Sequence, residues 1–145
     1  MELSVKSFEQ LDTKELFDIY RLRVSVFVVE QRCAYQEVDR ADLRALHLML
    51  RDEAGEPAAY CRVLPPKEKG GEALIGRVIA VRRRCGLGAR IVSEGMKAAR
   101  ERHGAGSLRV EAQSYAVPFY EKLGFHTASE EYLEDGIPHV RMLCP

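Results

Sequence analysis

The densest chemistry in the chain lies in eight consecutive residues, Arg82-Arg83-Arg84-Cys85-Gly86-Leu87-Gly88-Ala89, directly after the apolar run ALIGRVIAV (73–81). A strand that turns through glycines into a helix aims unpaired main-chain N–H groups at one point, and the helix start adds partial positive charge. Gly86 and Gly88 remove the Cβ atoms that would keep a ligand away from that backbone. The arginines add full charges, so the stretch can cradle an anion such as a pyrophosphate. The same residues also describe a tight β–α turn with solvated arginines, and spacing alone leaves both readings open. The pattern Arg83-x-x-Gly86-x-Gly88 is not a nucleotide-hydrolysing P-loop, because no Lys-Ser/Thr follows Gly88. It is not a dinucleotide fingerprint either, because residue 91 is Ile.

Other chemistries are poorly supplied. Lys+Arg and Asp+Glu number 22 each, and a nucleic-acid binder would carry a basic excess or base-stacking aromatics beside its basic patch. Cys33, Cys61, Cys85 and Cys144 are scattered without a C-x-x-C pair, and no two histidines have ligand spacing. Neither a metal site nor a disulfide framework is expected, and reduced thiols in a cytoplasmic protein are the default. The N-terminal residues lack a basic region followed by an apolar run, so no signal peptide is expected. No segment approaches the ~20 apolar residues of a membrane span.

The elements that must position these residues follow from pattern. The 145 residues suit a single domain spanning 1–145, with 46% hydrophobic and 30% charged residues. Residues 3–8 read as a strand. Asp12 and Glu15 make a capping-box pair, and Leu16, Ile19, Tyr20, Arg23, Val26 and Phe27 recur at helical spacing, which predicts a helix over 13–28. Residues 31–42 are polar and irregular. Two alternating runs, 45–52 and 58–64, flank a Gly-containing turn and predict a hairpin. The run 73–81 is the strongest strand. A helix then extends to Arg102-His103-Gly104, with cations in its last turn and a terminal glycine. Residues 107–113 alternate strictly, with Leu108, Val110 and Ala112 on one face and Arg109, Glu111 and Gln113 on the other. A short helix over 117–124 has Pro118 in its first turn. Residues 125–133 and 138–144 read as two final strands joined by Glu134-Asp135-Gly136-Ile137. The order β-α-β-β-β-α-β-α-β-β is a mixed α/β domain.

With the elements in this order, the chain resembles the GNAT superfamily of acyl-CoA-dependent N-acetyltransferases, and more closely its ElaA-like family. The resemblance is carried by Arg83-x-x-Gly86-x-Gly88 after a strong strand, by FYEKLGF (119–125), and by LRVSVFVVEQRCAY (22–35), EVDRAD (37–42), His47, IGRVIAV (75–81), AQSY (112–115) and YLEDGIPHVRM (132–142). It implies an α+β fold with a central mixed, largely antiparallel sheet that splays open midway and is flanked by helices. It implies acetyl-CoA as co-substrate and no metal. It implies that the main chain of Ile79 and Val81 pairs with the pantetheine arm. The amides of residues 84–89, with Gly86, Leu87, Gly88 and Ala89 among them, would hold the pyrophosphate together with Arg83 and Arg84. Tyr120 would be the acid that protonates the departing thiolate, with Phe119 packed in the core or on the cofactor. Gln113 would lie close to the transfer site, and Glu37, Asp39 and His47 on the acceptor side.

The chemistry agrees with these residue types. Acyl transfer from a thioester to an amine needs a neutral amine, a stabilised oxyanion and a proton for the thiol, and no covalent enzyme intermediate, so the cysteines need no catalytic role. No general base is fixed by pattern; Glu111, beside Gln113 on a polar strand face, can accept a proton directly or through water. Arg77, a charge inside the strongest strand, needs a partner, either a carboxylate of the acceptor or a neighbouring acid. His139 can face the acceptor or pack in its strand. The expected activity is N-acetyl transfer to a small-molecule or peptide amine, with no nucleic-acid or membrane partner and a homodimer left open. EVDRAD weakly favours a cationic amine. The alternatives are an acyl-CoA sensor without turnover and acyl-homoserine-lactone synthesis.

Overall fold

The computed structural model describes residues 1–83 and 85–145. Strands β1 (Glu2–Ser7), β2 (Leu46–Arg51), β3 (Pro57–Leu64) and β4 (Glu72–Ala80) form an antiparallel run in that order. β5 (Ser107–Gln113) lies parallel to β4, and β8 (Ile137–Cys144) pairs antiparallel to β5. The short β6 (His126–Thr127) and β7 (Tyr132–Glu134) both pair with β8. Helix α1 (Thr13–Arg23) precedes β2, α2 (Leu87–His103) joins β4 to β5, and the short α3 (Val117–Glu121) follows β5. This is the mixed, mostly antiparallel sheet flanked by helices that the sequence implies.

The helix boundaries have local causes. Asp12 Oδ1 accepts from Glu15 N at 2.7 Å and Glu15 Oε1 accepts from Asp12 N at 2.9 Å, so the capping box at α1 is complete. α2 ends at Gly104 in the left-handed region, where Ala105 N donates to Ala99 O at 3.1 Å. Its inner face buries Leu87, Ile91, Val92, Ala98 and Ala99 against the sheet. A smaller cluster of Ile19, Met49, Tyr60 and Ile79 fixes α1 to the opposite face.

Two expectations change. The predicted helix over 13–28 is α-helical only to Arg23; Val24–Glu30 is a π-helix. Its wider turn shows in Gln31 N donating to Val26 O and Cys33 N to Val28 O, each five residues back, at 3.2 Å. Four valines in seven residues crowd an α-helical turn, and the wider turn relieves that crowding. The stretch 125–133 is not one strand. It breaks between β6 and β7, where Ala128 N donates to Arg141 O at 2.8 Å and Ser129 Oγ accepts from Arg141 N at 2.9 Å. The β7–β8 turn is as predicted, with Asp135 and Gly136 both at positive φ.

The sheet parts between its two parallel strands. β4 and β5 pair only from Glu72↔Ser107 to Leu74↔Arg109. The cause lies in β4. Its register against β3 shifts between Arg62↔Gly76 and Tyr60↔Ile79, so two β4 residues oppose one on β3. Within this bulge Arg77 has φ +52°. A bulge bends and twists its strand, and from Ile75 onward β4 diverges from β5 with that edge unpaired.

Candidate active site

The divergence opens a cleft of about 1270 Å³. At one end lies the basic turn. Gly86, at φ +73°, is the N-cap of α2 and offers no side-chain cap. The first helical N–H with an intrahelical acceptor is that of Arg90, on Gly86 O at 3.0 Å. The amides of Leu87, Gly88 and Ala89 therefore have no acceptor among the described residues, as a helix start dictates. A Cβ on Gly88 would touch the Phe119 ring at 3.4 Å, so α2 begins packed close against that aromatic. Arg83, Gly86, Leu87, Gly88, Ala89 and Phe119 all line the cleft. Arg84, expected beside them, lies outside the described residues.

Along the wall, Ile79 is buried and Val81 is half-exposed. Val81 N donates to Ala58 O at 2.9 Å. Of its two main-chain groups the carbonyl is the one left for a ligand. The donor set fits an extended amide-bearing chain ending in a pyrophosphate: a free strand edge leads to three free amides and an arginine.

Tyr120 lines the cleft beside Phe119. Its ring is held edge-on between Phe119 (centroids 5.0 Å apart) and Phe125 (5.8 Å). Burial pushes its hydroxyl well above the ordinary phenol value. The residue lines the cleft, and its hydroxyl has no hydrogen-bond partner among the described residues. The proton is thus firmly held and uncommitted. Tyr115, 77% exposed on the turn after β5, also lines the cleft, although it was not among the expected site residues.

The far wall is polar. Glu111, Gln113 and His139 project from one face of β5 and β8, with Glu111 opposite Arg141 and Gln113 opposite His139. Gln113 Nε2 donates to Gln31 Oε1 at 3.3 Å, which ties β5 to the end of the π-helix. The Glu111 carboxylate accepts a short hydrogen bond from the Tyr132 hydroxyl and lies 3.3 Å from Arg109 Nε and 3.6 Å from Arg141 Nε. It is occupied from three sides.

Glu37 is not on the cleft. Its side chain is 2% exposed, and Arg23 Nε reaches Oε2 at 2.9 Å while Arg77 closes on Oε1. The expected acceptor-binding role is therefore corrected, since no oxygen is left to meet a substrate. Arg77 finds its partner inside the protein, in Glu37 and in Asp39 at 3.5 Å, with its guanidinium over the Tyr35 ring. Arg77 still lines the cleft. Asp42 accepts from Arg23 at 2.6 Å and from Arg62 at 3.0 Å, and Arg62 also binds Asp39 at 2.7 Å. The acids of EVDRAD are thus neutralised by three arginines and lend no net charge to attract a cationic amine. His47 is buried beneath them, its Nε2 donating to Asp42 O at 2.9 Å and its Nδ1 accepting from Tyr60 Oη at 2.7 Å. Burial holds its imidazole below the usual histidine range. It is a structural residue. The signal for this network was present in α1, where Arg23 falls in the apolar stripe after Ile19. A charge on a buried helical face requires buried partners.

No group of metal-binding side chains occurs among the described residues, and no helix there is long and apolar enough to cross a membrane.

A sheet that parts between two parallel strands over the free amides of a helix start is the framework of an acyl-CoA N-acyltransferase. A family model described as an acetyltransferase (GNAT) domain matches residues 22–144, and the chain belongs to that family. Within it the relatives are ElaA-like. The chain is 43% identical over 145 residues to a UPF0039 protein of Schizosaccharomyces pombe, covering 98% of this chain and 95% of that one. It is 33% identical over 136 residues to Protein ElaA of Escherichia coli, covering 92% and 89%. The crystal structure of an acyl-CoA N-acyltransferase from Pseudomonas aeruginosa superposes with TM-score 0.91 at 37% identity over 100% of both chains.

Proposed function

We propose that this protein transfers an acetyl group from acetyl-CoA to a primary amine by direct attack of the amine on the thioester. The observation that carries the reading is the uncommitted, protonated Tyr120 hydroxyl, set in a cleft between the free edge of β4 and the free amides of α2. Coenzyme A supplies an activated acyl carbon and a thiol leaving group. The residues of the chain do the rest. The amides of residues 87–89 and Arg83 receive the pyrophosphate, with the helix dipole favouring its charge. The β4 edge near Ile79 and the Val81 carbonyl orient the pantetheine. Phe119 packs beside Gly88 and fixes the Tyr120 ring. Tyr120 donates its proton to the departing sulfur. The proton moves to a thiolate of ordinary pKa about 8.5; burial of the Tyr120 hydroxyl makes that transfer uphill in the resting protein, and water restores the proton.

Gln113 and Arg77 border the acceptor end. Glu111, enclosed by Tyr132, Arg109 and Arg141, organises that wall. The testing experiment is thiol release from acetyl-CoA in the presence of a panel of primary amines. Release that saturates with at least one amine supports the reading. Coenzyme A binding without release across the panel would instead make the protein an acyl-CoA sensor.

A further inference from the structure

We propose that His139 is the base that takes the proton from the acceptor amine; this role rests on the acyl-transfer reading above. His139 stands on β8 directly opposite Gln113, at the end of β5 where the sheet has already parted, and it lines the cleft. Its Nδ1 lies 2.7 Å from Ile137 O. A carbonyl only accepts, so Nδ1 carries the hydrogen, and Nε2 is left with the lone pair. The neighbour of Nε2 is Glu134 Oε2 at 3.4 Å, on a side chain 52% exposed at the rim. The ring is stacked on Tyr132 (centroids 6.0 Å, planes 27° apart), whose hydroxyl is anchored on Glu111.

These three contacts divide the labour. Ile137 O sets the tautomer. Glu111 and Tyr132 hold the plane of the ring. Glu134 meets the proton once Nε2 has taken it and passes it to solvent. Glu111 itself is a poor candidate because its carboxylate is already enclosed by a hydroxyl and two guanidinium groups. The step balances as follows. The amine nitrogen gives one proton to His139 Nε2 and forms the bond to the acyl carbon. The carbon–sulfur bond breaks, and the Tyr120 proton goes to sulfur. His139 returns its proton to water through Glu134, and Tyr120 is reprotonated from water.

The test combines kinetics with nitrogen-detected NMR on the full chain. His139→Asn keeps a donor for Ile137 O and removes the base. The expected result is a kcat lowered about 100-fold or more and an unchanged KM for acetyl-CoA. The charged and titratable groups facing His139 are Glu134 and, through Tyr132, Glu111, with Arg141 beyond it on β8. A His139→Asn kcat within threefold of the wild type would overturn the proposal. In the uncomplexed protein at pH 8, the His139 ring should show hydrogen on Nδ1 and a bare Nε2. The opposite tautomer would overturn the role whatever the turnover. Failure of the wild-type protein to release thiol with any amine would overturn the acyl-transfer reading, and this role with it.

Discussion

The guanidinium of Arg77, on a left-handed residue in the middle of β4, is paired with the buried carboxylate of Glu37. The bulge that parts the sheet is thereby fastened to the loop before β2. Glu37 also neutralises Arg23, which is fully buried. Glu37→Ala leaves Arg23 with the carboxylate of Asp42 alone and should therefore cost roughly 1.5–3 kcal/mol, the range for hydrogen bonds to a charged group, read as a shift in urea midpoint at constant m-value. A loss under 1 kcal/mol would show that the network does not brace the fold.

Tyr120→Phe should lower kcat at least tenfold and leave the affinity for coenzyme A within twofold. Because burial raises the Tyr120 pKa above about 10, its proton is present throughout the physiological range, and no basic limb below pH 10 should belong to it. Steady-state rates measured from pH 6 to 10 check both statements; unchanged turnover in the variant would remove the acid role.

Stability should fall as the pH drops below about 6.5. His47 is buried neutral and its folded pKa is lowered, so the unfolded chain binds more protons below its own pKa of about 6.5. The contribution is present in full above that value and is lost below it. His103, also lowered by burial, adds to the same slope. A second decline should follow near pH 4 and below, as Asp39 and Asp42, both lowered by their arginine partners against the opposing effect of burial, are protonated. Urea midpoints from pH 8 to 3 test this; His47→Gln should flatten the first decline.

Among the four thiols, Cys85 is exposed in the turn before α2, and Cys61 is completely buried with its thiol pushed far above the ordinary value. Iodoacetamide should label Cys85 readily and leave Cys61 intact in the folded protein. Coenzyme A should slow labelling of Cys85. Labelling indifferent to coenzyme A would place the ligand away from this turn.

Much of this was legible in the residues themselves. The capping box at Asp12, the strict alternation of β5, the Asp135-Gly136 turn and the glycine-bounded helix α2 are local signals, and local physics decided them. The π-helix was not legible, because its apolar spacing satisfies an α-helical template and only the crowding of its valines argues otherwise. Glu37 was expected on the acceptor side because its segment resembles the one that borders the acceptor in the family. Its burial depends on Arg23 and Arg77, 14 and 40 residues away in sequence, a separation no local pattern spans. Tyr132 and Glu111 meet only because β7 folds back on β8, which likewise lies beyond any window of neighbouring residues.

The proposed function requires the β4–α2 cleft to hold acetyl-CoA. Its most direct test is calorimetric titration of acetyl-CoA into the wild-type protein and into Gly88→Val, whose side chain would intrude on Phe119 at the start of α2. Saturable one-to-one binding to the wild type is expected, weakened more than tenfold in a variant that remains folded by circular dichroism. No heat at millimolar acetyl-CoA, or equal affinity in both proteins, would contradict it.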